Sequence, residues 1–208
     1  MINIISFPDF GCGGLFCTLF NKTTIEWNNN FPNTLMNYEH NGLKIGANYM
    51  NNWQYEDSDW LEAVDNCKRK FPGKFCGTHI PLNNLKHLSM FDKKVQICTE
   101  TLSSKLILWL RAHNLIYLPK HSIDNVVKQK QFAKDFTDMT IKPFNGAINI
   151  ELSNYLYDVK YRKNIHQSNN LPFDKNVFNM WKNKNAYIFN LQKSNVAFNV
   201  FYQNIQNI

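Results

Sequence analysis

Three short segments of this chain carry residue types suited to chemistry. The first is Phe7-Pro8-Asp9-Phe10-Gly11-Cys12-Gly13-Gly14-Leu15, set between the apolar run Ile2 to Phe7 and a second apolar stretch, Leu15 to Phe20. Glycines at such a junction let backbone approach a ligand closely, and the amides that open the following helix attract an anion. Pro8, Gly11, Cys12, Gly13 and Gly14 are therefore the candidate anion-binding residues. The same glycines would equally serve a tight strand-to-helix turn. The loop has no Gly-Lys-Ser/Thr, so it is not a Walker A motif. The second segment, Gly77-Thr78-His79-Ile80-Pro81, sets a histidine at a strand end. A neutral imidazole there can take a proton from a hydroxyl nucleophile near pH 7. The third is Thr99-Glu100-Thr101-Leu102-Ser103-Ser104-Lys105, with Arg111 further along. Hydroxyls and cations at a helix start suit a phosphate, and the hydroxyls equally suit a helix cap. Thr99, Ser103, Ser104, Lys105 and Arg111 join the candidate list.

Other residues point to chemistry less directly. The five cysteines, Cys12, Cys17, Cys67, Cys76 and Cys98, form no Cys-x-x-Cys pair, and the histidines show no ligand spacing, so no metal is expected. Cys12 sits where a helix start would acidify a thiol. Glu100 has no evident partner carboxylate. Trp181-Lys182-Asn183-Lys184 is either a nucleotide contact or a solvated helix end. The net charge of +7 favours anionic partners, an anionic nucleotide above all, with nucleic acid left open.

Positioning these segments requires a folded scaffold. The chain has 208 residues, 44% hydrophobic and 14% aromatic, which excludes a disordered polymer and is ordinary for one domain. No apolar run reaches membrane-spanning length, so no transmembrane segment is expected. The start reads as a strand and not a signal peptide, which predicts a cytoplasmic protein. Strands are expected at 2–7, 74–80, 94–98 and 147–152. Helices are expected at 15–20, 57–70, 105–117, 126–136 and 173–182, and 187–201 reads as either. Residues 23–56, with strand-like pieces at 24–27 and 42–47, read as an insertion. Strands alternating with helices predict an α/β domain over 1–208: three layers around a central, mainly parallel sheet. Ligands bind at the carboxyl ends of such strands, where all three chemical segments lie.

In this order the segments resemble the P-loop sulfotransferase superfamily. Phe7-Pro8 and Gly11 to Gly14 match its strand end and anion loop, Thr78-His79-Ile80-Pro81 matches its base-bearing strand end, and Val95 to Trp109 matches the layout of its third landmark. The likeness covers about 1–117 and extends to small sulfotransferase-like proteins of marine phages, which would place the protein in a host cytoplasm. The resemblance implies transfer of a sulfuryl group from 3′-phosphoadenosine-5′-phosphosulfate to a hydroxyl acceptor: a glycan, a lipid or a small molecule. It makes His79 the base. The family's loop lysine is missing here, so Lys105, Arg111 or Lys74 would supply charge. The resemblance implies an Arg and a Ser for the 3′-phosphate; their positions fall near Thr99 and Ile107 here, so Ser103, Ser104 and Lys105 would have to substitute. The rival expectation is a catalytically inactive nucleotide-binding or virion-associated protein with the same fold. A different nucleotide-dependent enzyme using the same loop is a third.

Overall fold

The first strand is apolar on both faces, and the two faces feed different cores. Ile5 and Phe7 belong to one buried cluster with Phe16, Leu19, Val95, Ile97 and Tyr155. Ile2 and Ile4 belong to another with Val64, Cys76, Leu82 and Phe91. Side chains alternate across a strand, so a strand buried on both faces lies in the middle layer of three. The computed structural model describes residues 2–8, 11–21, 36–37, 43–45, 61, 64–65, 68–69, 72–85, 87–112 and 140–191.

The elements in chain order are β1 (Asn3–Ser6), α1 (Gly13–Asn21), β2 (Met36–Asn37), β3 (Leu43–Ile45), β4 (Phe75–Thr78), β5 (Lys94–Cys98), α2 (Leu102–Ala112), β6 (Ile148–Glu151), α3 (Leu152–Tyr157), α4 (Val159–Ser168), α5 (Lys175–Lys184) and α6 (Ala186–Leu191). Two short 3-10 turns, Leu82–Asn84 and Leu88–Met90, lie between β4 and β5. The sheet order is β2-β3-β4-β1-β5-β6. Every neighbouring pair is parallel except β2 with β3. This is the expected α/β architecture.

The order matters for function. The chain leaves β1 toward β4 on one side, then crosses to β5 on the other. The carboxyl ends of β1 and β5 therefore flank a topological switch point, where open parallel sheets leave a crevice.

Local chemistry explains several boundaries. Helix α1 starts at Gly13, two residues before the expected Leu15, so Gly13 and Gly14 form its first turn. Nearly all of α1 is buried, as an all-round apolar helix must be. Asn21 closes it by pairing with Phe75 as a strand residue would: its Nδ2 donates to the Phe75 carbonyl at 2.9 Å, and its Oδ1 accepts from the Phe75 amide at 2.7 Å. Helix α2 starts at Leu102 and not Lys105, because Thr101 Oγ1 accepts from the Ser104 amide and caps it. Helices α3 and α4 fall in a segment where the sequence reading names no helix. Asp158 caps α4 by accepting from the amides of Lys160 and Tyr161. Asp174 does the same for α5, at Asn176 and Val177.

Residues 187–191 are helical, and Leu61, Val64, Asp65, Lys68 and Arg69 are helical within the expected 57–70. The expected helix at 126–136, the strand-like piece at 24–27 and most of the insertion at 23–56 lie outside the described residues. No helix among the described residues is long and apolar enough to cross a membrane.

Candidate active site

The end of β1 is tied to the end of β4. Ser6 Oγ donates to the Ile80 carbonyl at 2.7 Å, and the Phe7 amide donates to the Thr78 carbonyl at 3.0 Å. The Ile80 amide then donates to Thr78 Oγ1. These bonds hold His79 beside the glycine loop. Its ring meets the Phe7 ring edge to face, with centroids 4.8 Å apart. Its Nδ1 is buried.

The loop turns sharply. The Gly11 amide donates to the Pro8 carbonyl at 2.9 Å. Cys12 has a φ of 64°, the left-handed region that few non-glycine residues adopt. Its carbonyl then accepts from Leu15 and Phe16 and starts α1. The glycines around Phe7 are steric requirements. A Cβ on Gly13 would lie 2.2 Å from the Phe7 ring, and one on Gly77 would lie 2.7 Å from it. One on Gly11 would lie 2.7 Å from the Pro8 ring. Phe7 is thus a buried wedge with the start of α1 on one side, β4 on another, and His79 at its edge. Among the described residues none accepts from the amide of Gly13 or Gly14, and Gly14 is partly exposed. Both amides belong to the first helical turn, whose donors lack intrahelical acceptors.

The Cys12 thiol is 1% exposed. Burial pushes its pKa up, and the nearby Arg111 charge offsets this only in part. A thiol held protonated in this way is a poor nucleophile.

The third segment is organised by a residue the sequence reading did not single out. Glu151, the last residue of β6, pairs in register with Cys98 of β5. Its carboxylate lies across the start of α2. It accepts from the amides of Glu100 at 3.2 Å and Thr101 at 3.1 Å. It also accepts from Thr101 Oγ1 at 2.7 Å and Ser104 Oγ at 2.5 Å. Ser104 Oγ in turn accepts from the Ser153 amide at 2.8 Å. An anion at a helix start, met by backbone and hydroxyl donors, is what this segment predicts. Here the chain supplies that anion itself. The buried Cys98 thiol beside this cluster is pushed up to about 12 by burial and by the charges of Glu151 and Glu100.

The remaining candidates lie around this clasp. Thr99 is fully buried and exchanges hydrogen bonds with Ile141, its amide donating and its Oγ1 accepting. Ser103 lines an open groove of about 430 Å³ with Ser153, Asn154, Tyr157, Asp158 and Val159. Lys105 is in the first turns of α2, its amide bonded to the Thr101 carbonyl. Arg111 stands at the far end of α2. It donates to Asn185 Oδ1 at 2.9 Å, and its guanidinium carbon lies 5.5 Å from the centre of the Trp181 ring. The structure therefore gathers Pro8, Gly11, Cys12, Gly13, Gly14 and His79 around Phe7. It turns Ser104 and Thr101 inward onto Glu151.

The sequence matches no protein-family model, no curated protein and no solved structure. The functional reading rests on the residues themselves. Among the described residues, no group of three or more His, Cys, Asp or Glu could hold a metal ion.

Proposed function

We propose that the chain is a sulfotransferase-like transferase working at the carboxyl edge of its parallel sheet. One observation supports this above the others: the start of α1 at Gly13 and the His79 ring pack on the same Phe7 side chain, from adjacent parallel strands. In this reading the first-turn amides of α1 hold the phosphosulfate end of a donor nucleotide. His79 takes the proton of an acceptor hydroxyl as its oxygen attacks sulfur. The new oxygen–sulfur bond forms while the bond from sulfur to the nucleotide's phosphate oxygen breaks, and the electron pair leaves with the phosphate. The work of such a site is positioning and charge stabilisation. The loop has no lysine, and in this reading Lys105, Arg111 or Lys74 would have to supply the charge in its place.

The fit of 3′-phosphoadenosine-5′-phosphosulfate differs between its two ends. In this reading the 5′ end meets the α1 start at the partly exposed Gly14, since Gly13 is buried. The 3′-phosphate does not fit the α2 start, because Thr101 and Ser104 already give their hydrogens to Glu151. That clasp also favours a second reading, a nucleotide-binding protein that keeps the fold without catalysing transfer.

The experiment is release or transfer of labelled sulfate from a phosphosulfate donor, with calorimetric titration of the nucleotide alongside. Sulfate loss that depends on His79 supports the transferase. Nucleotide binding with no sulfate loss, to acceptor or to water, selects the binding protein. No heat at millimolar nucleotide, a limit of about 4 kcal/mol, rejects both.

A further inference from the structure

We infer that the outer surface of α4 and α5 binds the sugar-phosphate backbone of a nucleic-acid duplex, without regard to base sequence. The inference stands apart from the transferase reading and uses none of its residues.

The stretch 158–184, which holds both helices, carries six Lys or Arg against two Asp. It therefore accounts for more than half of the chain's net charge of +7. The two acids are Asp158 and Asp174, the helix caps. Each carboxylate accepts from two amides of its own helix start. Lys160, Lys163, Lys175, Lys182 and Lys184 are all exposed, and among the described residues none of them forms an ion pair. Exposed cations gathered in this way attract a polyanion.

The two helices present one surface because they spend their apolar faces on one core. Ile165 of α4 and Phe178 of α5 join the cluster that buries Phe16. The Arg162 guanidinium carbon of α4 lies 4.1 Å from the centre of the Phe178 ring and ties the pair together. Their opposite faces thus open on the same side of the sheet. Helical periodicity groups Lys160, Lys163, Asn164 and Gln167 on the outward face of α4. On α5 it groups Asn176, Asn179 and Asn183, with Lys175 and Lys182 beside them. All of these residues are exposed. Lysines neutralise phosphates, and Asn and Gln amides donate to phosphate oxygens, which is contact with the backbone and not with the bases.

A duplex fits this surface better than the other polyanions. A membrane-surface helix turns its apolar face to lipid, and here those faces are in the core. A single strand stacks its bases on exposed aromatic rings. Of the aromatic residues in 158–184 only Phe173 is exposed, and its ring already packs on His166 and Phe178.

The test is fluorescence anisotropy of a labelled DNA duplex of about 20 base pairs, titrated with the whole chain between roughly 50 and 200 mM salt. Binding is expected at low salt, equal within about twofold for two unrelated sequences, and weakening steeply as salt rises. The double variant Lys160→Gln, Lys163→Gln should lose about tenfold or more in affinity at low salt and lower the salt slope by about two. Lys68→Gln with Arg69→Gln removes the same charge beside Val64, in the core on the other face of the sheet, and should change affinity by less than about twofold. No binding at low salt overturns the inference. Equal losses in the two double variants would show a general charge effect and also overturn it. So would tighter binding of the single strand, or binding to phosphatidylserine vesicles in place of the duplex.

Discussion

A methyl group on Gly13 would sit 2.2 Å from the ring of Phe7. The glycine that opens α1 is therefore needed for packing, whatever ligand its amide meets. Gly13→Ala should destabilise the protein by about 1–3 kcal/mol, the usual range for overpacking a core. Phe7→Leu in the same chain should recover part of that loss, because the two sites share one space. Denaturant melts of both single variants and the double variant measure the coupling. Additive losses would mean that the two residues do not meet.

The same contact bears on how the anion site is probed. A bulky residue at Gly13 disturbs Phe7 and through it His79, so lost nucleotide binding in such a variant reports packing as well as ligand approach.

The α2 clasp predicts a stability effect of its own. Ser104 is fully buried; its hydroxyl donates to Glu151 and accepts from the Ser153 amide, with Thr101 Oγ1 also 3.0 Å away. Ser104→Ala leaves both without it, and a buried group left unsatisfied costs about 1–3 kcal/mol. Thermal melts should show the loss. A Ser104→Ala protein as stable as the parent would mean that the clasp does not hold in solution.

Acid should weaken the protein through His166. Its Nδ1 faces the Leu171 carbonyl at 3.2 Å, and its Nε2 lies 2.8 Å from Tyr155 Oη. The carbonyl can only accept, so Nδ1 carries the proton and Nε2 accepts from the tyrosine. Burial holds the His166 pKa below its ordinary 6.5. A histidine that resists protonation when folded binds fewer protons than when unfolded, so stability rises with pH across its titration. Its contribution is complete above about pH 6.5 and declines as the pH falls from there toward the folded value. Melting temperatures between pH 8 and pH 5 should fall more steeply for the parent than for His166→Gln. Parallel curves would contradict this.

Much of the scaffold was legible in the sequence because its signals are local. The apolar run at 2–7 became β1, the strand expected at 94–98 became β5, and Thr101 lies where a helix cap belongs. Helix α4 was not legible because its surface is mostly polar, and only Asp158 marks its start. The site divides in the same way. The glycine loop and His79 sit in short motifs that can be read along the chain. Glu151 meets Thr101 and Ser104 from 50 and 47 positions away. No spacing rule joins them, and their meeting depends on β5 pairing with β6. The steric role of Gly77 was hidden for the same reason, since its neighbour Phe7 lies on another strand.

The most direct test of the transferase reading is His79→Ala, measured as labelled sulfate lost from the donor and as nucleotide affinity on the same preparation. The base meets the acceptor and not the nucleotide's phosphates. Sulfate loss should therefore fall by about a hundredfold or more while affinity stays within a factor of two or so. Unchanged sulfate loss in His79→Ala, with nucleotide still bound, would contradict the central claim.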